Sequence, residues 1–489
     1  MQLSKSDYLK YRVCPSYFWL WKHARDLVPD ESTQEVRDNK FEQGNQVEAI
    51  ARRLFPNGIL VEGYNIQAQA NTEQLVANGA DVLFQATVIT DDNLLAMADA
   101  LEKNGDGWNL YEVKSSSSVK KEHITDMAFQ KIAFEKAGYP IKNTFVIYLN
   151  KEFVRHGDTI DPKQIFVTDS VDTEVAEILS EVRDQIVLAL ENMQRTDQPT
   201  TCPCRLLSRG KHCPTFAQFN PDVPDYSVYD ISRMQGKKLA ELVDSEIFIT
   251  TDIPDDFLLT ANQAMQVAVD KSGHSRVETD KLRAELSQLE YPLYFIDYES
   301  VNPAIPMLDG THPHQQVIFQ YSLHILGAPD AELRHTEHLC RDNTLESLLA
   351  LVQQMRRDVD ETGSVIVWNK AFERDRNKEL GQLFPEYESF FADMNERMYD
   401  LMEIFRKNYY VDPGFKGSNS IKDVLPVLAP HLSYKDLSIG KGDLASVRWY
   451  EIVTGEDSTG AEQIFADLLE YCKLDTLAMV EIFNVLRKL

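Results

Sequence analysis

An α/β fold in two successive segments follows from three features of the sequence. Runs of strand character alternate with stretches of helical period. Two adjacent strand-like runs, "NLLAMADALEK" and "WNLYEVKS", flank a Gly-Asp-Gly turn. A second set of such runs begins at "YPLYFIDYES", after a weakly patterned stretch. A chain of 489 residues exceeds what one core supports, so two or three domains are expected.

In chain order, the amphipathic stretch "EQGNQVEAIARRLFPNG" predicts a helix stopped by Pro-Asn-Gly. "DVLFQATVIT", "NLLAMADALEK" and "WNLYEVKS" predict three strands, "EHITDMAFQKIAFEKAG" a helix ending at Gly138, and "KNTFVIYLN" another strand. This order implies an α/β sandwich with a mixed sheet. Residues 172–194 have helical period and lead into "TDQPTTCPCRLLSRGKHCP", a loop dense in Pro, Gly and Cys. A first domain is thus expected over 1–220. The breaker cluster "NPDVPDYSVYD" and the helical pieces after it suggest a helical linker region over 221–285. A second α/β domain, 286–489, holds "QQVIFQYSLHIL", "SVIVWN" and the closing helix "AEQIFADLLEYCKLDTLAMVEIFNVLRKL". No internal repeat is visible. "GKGD" at 440–443 lacks the residues of a phosphate-binding loop.

Hydrophobic content of 43% and charged content of 26% are ordinary for a globular protein. No apolar run reaches the roughly 18 residues of a membrane span, and the N-terminal stretch has no uninterrupted apolar core. A cytoplasmic location is therefore expected. There, six cysteines are metal ligands or buried thiols rather than disulfides. The net charge of −27 weighs against nonspecific binding to long duplexes, which Lys and Arg provide. It does not exclude a nuclease, because acidic metal sites contribute some of it and bound cations reverse it locally.

Strand alternation sends Glu112 and Lys114 of "WNLYEVKSSSS" to one face and the Val113 side chain to the other. A surface ion pair is the bland explanation. The alternative is half of a metal site. Asp99, on the preceding strand, and Glu112, with the backbone carbonyl of Val113, offer hard oxygen ligands to a divalent cation. Lys114 would then orient or deprotonate a water and steady developing phosphorane charge.

Asp-x12-Glu-x-Lys resembles the PD-(D/E)XK nuclease motif. "DMAFQKIAFEKAG" follows where RecB-like nucleases carry a helix with a motif glutamine, and Gln130 matches it. The resemblance implies a restriction-endonuclease-like α/β domain. Where RecB-like enzymes place a ligand histidine in the first helix, this chain has Glu48. Asp126, one turn before Gln130, reads as a solvated acid, and Tyr148 as a packed aromatic or a substrate contact.

Cys14 lies in "YRVCPSYFWLW", and Cys202, Cys204 and Cys213 lie in the Pro/Gly-rich loop. Three local thiolates and a distant fourth suit a tetrahedral zinc or an iron–sulfur cluster, and His212 is an alternative zinc ligand. An N-terminal "CP" and a closing cysteine trio are similar to iron–sulfur-clasped RecB-family exonucleases, including the CRISPR-associated adaptation nucleases. That resemblance implies a 4Fe–4S cluster stapling the two ends of the domain, although Cys-x-Cys-x8-Cys departs from the commonest spacing. Cys340 and Cys472 read as core residues.

"YFIDYES" again puts two acids, Asp297 and Glu299, on one strand face; "VIVWNKAFERD" supplies Asn369 and Glu373; "LLEYCKLDTLAMV" sets Tyr471 and Asp475 at i and i+4 of a helix. Together they resemble the four-acid exonucleases of the RNase H-like fold, in the tyrosine (DEDDy) subgroup of proofreading type. The resemblance implies two Mg²⁺ or Mn²⁺ ions held by the acids, a water oriented by Tyr471, and 3′→5′ cleavage. Glu373 stands where the family has Asp, so Asp375 or Asp400 is an alternative ligand. Ser420 reads as a helix N-cap, ahead of any phosphate contact by Lys422.

The whole chain looks like a RecB-like iron–sulfur nuclease joined to an RNase H-like exonuclease acting on single-stranded or end-containing DNA or RNA. Two rivals remain: a nucleic-acid-binding scaffold with one or both sites degenerate, and a hydrolase of short oligonucleotides.

Overall fold

The computed structural model describes residues 1–30, 32–435, 437–455 and 459–489. Both halves are α/β, and the chain forms two compact units. Unit 1 comprises Met1–Arg205, Lys211–Pro221 and Pro303–His314; unit 2 comprises Leu206–Gly210, Asp222–Asn302 and Gln315–Leu489.

Unit 1 is built on a mixed seven-stranded sheet: β1 (Leu3–Ser4), β2 (Ile59–Leu60), β3 (Val82–Ile89), β4 (Leu94–Asn104), β5 (Gly107–Lys114), β6 (Ile141–Leu149) and β7 (Phe166–Ser170). The order is β2-β3-β4-β5-β6-β7, with β1 added along β4. Gly105, at φ +60°, takes the left-handed conformation that a two-residue hairpin turn requires. This turn sets Asn104 opposite Gly107 and Ala100 opposite Tyr111, so Asp99 lies beside Glu112. The parallel β5–β6 pair needs a crossover, which helix α5 below provides.

The helices of nine or more residues among the described residues of this unit are α1 (Lys5–Val13), α2 (Pro15–His23), α3 (Gln34–Arg52), α4 (Ile66–Ala77), α5 (Lys121–Lys136) and α6 (Asp172–Gln194). They cover both sheet faces. Leu110 packs in one core with Phe129, Phe134, Val182 and Ile186, whereas Tyr111 packs in the other with Val47 and Ala51 of α3. Alternation therefore turns Glu112 and Lys114 toward α5. Ser4 caps α1 reciprocally with Asp7, and the Cys14 thiol accepts from Tyr17 N at the start of α2.

Unit 2 has a five-stranded sheet: β9 (Leu293–Val301), β10 (Val317–Leu326), β11 (Leu333–Leu339), β12 (Ser364–Val367) and β13 (Met398–Asp400). Its order is β11-β10-β9-β12-β13, antiparallel through β9 and parallel beyond it. A small antiparallel ribbon pairs β8 (Arg276–Val277) with β14 (Tyr410–Val411). The helices that matter for the site are α7 (Lys370–Leu383), α8 (Ile421–Leu428) and α9 (Ala461–Leu486). Leu293 and Phe295 of β9 pack with Ala478, Met479 and Phe483 of α9. Continuing the alternation, Asp297 and Glu299 face the helix that carries Tyr471 and Asp475.

Two expected boundaries are corrected. Residues 222–285 are part of unit 2 rather than a separate linker, and Leu282 of helix Thr279–Leu286 packs in one core with Leu293, Phe295 and Phe483. Residues 303–314 belong to unit 1 although their sequence lies inside the expected second domain. There Ala304 joins the α3-side core, and its N–H donates to Gln43 Oε1 at 3.2 Å.

Gly363, at φ +90°, lies so close to the Pro292 backbone that an added Cβ would stand 2.1 Å from Pro292 O. Both the steric contact and the left-handed backbone oppose a side chain. Gly363→Ala is expected to destabilise the protein by more than about 1 kcal/mol, seen as a lower unfolding midpoint in calorimetry; an unchanged midpoint would contradict this packing.

Candidate functional site

In unit 1, Glu112 is 2% exposed and sits among hydrogen-bond donors and cations. Gln130 Nε2 donates to its Oε2 at 2.5 Å, and Lys114 Nζ lies 2.8 Å from its Oε1. Lys5, the first residue of α1, donates to that same Oε1. Burial alone would raise the Glu112 pKa, but the Lys5 and Lys114 charges outweigh it and hold the carboxyl at about 2. Lys114 also donates to Asp126 Oδ2 at 2.6 Å. Asp126 is 3% exposed, which corrects its reading as a solvated acid: its helix face packs on the sheet and Lys114 supplies the counter-charge.

Asp99 accepts from Val113 N at 2.7 Å, and Gln85 Nε2 lies 3.5 Å from its other oxygen. Burial, then the Glu112 charge, pushes the Asp99 carboxyl up to about 7. Glu48 lies near enough for its charge to act on Asp99; Gln85 donates to Glu48 Oε1, and Arg52 holds the same oxygen at 2.6 Å. The Tyr148 hydroxyl donates to Asp169 at 2.7 Å, while its ring packs on the core.

Cys14, Cys202, Cys204 and Cys213 are all buried free thiols whose sulfurs lie within 4.8 Å of one another. The Cys14–Cys202 separation is 3.6 Å and Cys202–Cys213 is 3.5 Å. Four such sulfurs can hold a metal. His212 is not in the group; its ring stacks on Phe216.

In unit 2, Asp297, Glu299 and Cys472 bring ligand atoms within 4.8 Å of one another. Among the described residues only this set and the four cysteines meet that condition. Asp297 and Glu299 are raised well above the carboxylate range by burial and by each other's neighbours, including Asp475. Burial lifts Asp475 to about 6 even though the Tyr434 hydroxyl donates to its Oδ1 at 2.6 Å. Lys422 Nζ stands 3.2 Å from the Tyr471 hydroxyl and 3.0 Å from Gly440 O. Ser420 does cap α8, accepting from Lys422 N. Gly442 lines the site: a Cβ there would make ordinary contact with Glu299 Oε2 at 3.6 Å and with the Tyr471 hydroxyl at 3.9 Å.

Of the three acids considered for the middle motif, Glu373 is the one aimed inward. It is 2% exposed, its Oε2 is buried with no hydrogen-bond partner, and its carboxyl feels the Asp297 charge. Asp375 is exposed and pairs with Lys378 at 3.4 Å. Asp400 is committed to the start of α7, accepting from Asn369 N and Lys370 N at 3.1 Å each. Cys340 is a core residue, whereas Cys472, fully buried as expected of a core thiol, also lies against the acids, donating to Asp297 O at 3.8 Å. Cys472, Lys5, Gln85 and Tyr434 were not singled out from sequence as site residues. Only Cys472 carried a signal, standing three residues before Asp475 on one helix face.

Residues 294–420 match a family model described as a domain of unknown function (DUF2779). An uncharacterized protein of Ureaplasma parvum is 29% identical over 290 residues, covering 54% of this chain and 41% of that protein. Uncharacterized proteins of Mycoplasma pneumoniae and Mycoplasma genitalium are each 24% identical over 222 residues, covering 42% of this chain and 33% of theirs. The chain thus spans less than half the length of each of these relatives.

Glu373, buried with one carboxyl oxygen unpartnered, has a consequence for stability. Its carboxyl is raised from 4.5 to about 9, first by burial and then by Asp297. The folded state keeps the proton that the unfolded state loses above 4.5. The contribution is full below that value and declines as pH rises toward 9. Cation-free protein is expected to lose stability across this window, and Glu373→Gln to flatten the decline. Chemical denaturation at several pH values reads both, and parallel curves for the two proteins would contradict the assignment.

Proposed function

We propose that this protein is a metal-dependent nuclease with two phosphodiester-cleaving sites, the second a 3′→5′ exonuclease. The observation that carries the reading is Glu373: a buried carboxyl beside Asp297, one oxygen of which has no hydrogen-bond partner, in a site where burial also raises Asp297 and Glu299 well above the carboxylate range. Such a cluster is costly alone and becomes favourable when cations enter. Divalent cations fit Asp297, Glu299, Glu373 and Asp475 by this test, and when bound they supply charge neutralisation and water activation. The antiparallel-then-parallel sheet around β9 supports an RNase H-like domain.

The chain's own groups have definable tasks. The Lys422 ammonium donates toward the Tyr471 oxygen, and the phenolic hydroxyl, which also reaches Asp475, would orient a water beside that carboxylate. Tyr434 holds one oxygen of Asp475 in place. In unit 1, the hairpin, Gln130 and the Glu112–Lys114–Asp126 chain support a PD-(D/E)XK-type, RecB-like site. Lys114 would steady charge on the phosphoryl oxygens. Asp99 and Glu112, with the Val113 carbonyl, fit a hard cation. Glu48 fits only if Gln85 yields.

The substrates proposed are single-stranded or end-containing DNA or RNA. The charge of −27 favours short oligonucleotides as a second reading. A scaffold role for degenerate sites is the outcome if no variant changes cleavage. Labelled DNA and RNA, assayed with Mg²⁺ or Mn²⁺, decide. Asp297→Ala is expected to remove 3′→5′ trimming and spare a separate activity lost in Lys114→Ala. Glu373→Gln should fail nearly as badly as Asp297→Ala, and Asp375→Asn should be mild. Cleavage unchanged in an Asp297→Ala/Lys114→Ala double variant would falsify the nuclease reading.

For the four-cysteine centre, resemblance favours a 4Fe–4S cluster, and a specific distance favours zinc. Thiolates at about 2.3 Å from one tetrahedral ion stand roughly 3.8 Å apart, close to the separations of 3.5 and 3.6 Å here. A cubane's thiolates bind different irons and must open further. Metal and sulfide analysis of anaerobically purified protein separates the two: about four irons with sulfide means the cluster, one zinc without sulfide the single ion. In either case Cys202→Ser is expected to loosen unit 1, read as faster proteolysis there, and to leave unit 2 protected.

A further inference from the structure

The acids proposed to hold hard cations in unit 2 have a sulfur among them. The Cys472 thiol is fully buried, lies over β9, and shares a 4.8 Å ligand group with Asp297 and Glu299. Glu373 adds a buried oxygen with no partner. Oxygen ligands suit Mg²⁺ and Mn²⁺, whereas thiolate selects softer ions, with Zn–S near 2.3 Å and Zn–O near about 2.1 Å. Donor atoms gathered this closely match the span of one small coordination sphere.

Resting on the reading of this cluster as a metal centre, we infer that it is a mixed oxygen–sulfur site that captures a thiophilic divalent cation, Zn²⁺ or Cd²⁺, through Asp297, Glu299 and the Cys472 sulfur. Binding replaces the S–H bond with a metal–sulfur bond, and the thiol proton leaves to solvent together with any proton held by the Asp297 and Glu299 carboxyls as they become ligands. Such an ion occupies the oxygens that a hard cation needs, so it acts as an inhibitor of the same site. The helix enforces the arrangement: Cys472 and Asp475 are three residues apart on one face of α9, and both meet the acidic face of β9.

Cd²⁺ is the probe, titrated into the intact 489-residue chain with its four-cysteine centre loaded as purified. Thiolate-to-cadmium charge-transfer absorbance reports the sulfur bond, and Mn²⁺ binding followed by electron paramagnetic resonance reports the oxygen ligands. Wild type is expected to show a charge-transfer component that is missing from both Cys472→Ser and Asp297→Ala. Cys472→Ser should weaken Cd²⁺ by roughly tenfold or more and Mn²⁺ by clearly less. Identical cadmium spectra for wild type and Cys472→Ser, with Mn²⁺ binding still dependent on Asp297, would overturn the sulfur ligand and leave the metal centre standing. Cadmium and manganese binding that both ignore Asp297 would overturn the metal centre as well.

Discussion

Burying like charges beside a hydrophobic core is the constraint on which both candidate sites depend. Each sheet presents carboxylates on the face that also packs its helices, so side chains two residues apart alternate between core and chemistry. Leu293 and Phe295 belong to the core that Asp297 and Glu299 prolong. Leu110 stands in the same relation to Glu112. A carboxylate so placed must find a counter-charge, keep its proton or hold a cation.

The two units meet this constraint differently. In unit 1 the chain supplies its own cations: Lys5 and Lys114 hold Glu112 ionised, and Lys114 is shared with Asp126. In unit 2, Lys422 faces Asp297, Glu299 and Asp475, Arg376 acts on Glu373, and burial still raises all four acids. The second candidate site therefore carries the larger excess of acids over cations. The first is the more fully organised without them. Helix α1 adds a link of its own, since it begins with the lysine on Glu112 and ends at Cys14 of the cysteine cluster. Holding that cluster together thus also fixes one of the cations at the first site.

Much of this was legible in the residue pattern. The Asp99 to Lys114 hairpin, helix 172–194, the cysteine group and the placement of Asp297, Glu299, Tyr471 and Asp475 all rest on local periods and turn residues. Those signals survive folding because strand alternation and helical pitch are properties of the backbone. What escaped depended on distant partners. Asp126 reads as solvated because its counter-ion lies on another element. Lys422 reads as flanking an N-cap because Tyr471 reaches it only through the tertiary fold. The membership of residues 303–314 in unit 1 has no local signature at all.

By itself the sequence determined the α/β class, the faces on which the acids stand and most of the candidate metal-ligating residues. Composition, period and spacing are short-range facts. Tertiary structure alone decided that Glu373, and neither Asp375 nor Asp400, is turned inward without a partner, that Lys5 stands on Glu112, and that a core-like cysteine lies among carboxylates. Those outcomes follow from how elements remote in sequence pack, and no spacing rule contains the charge or the solvent exposure that packing creates.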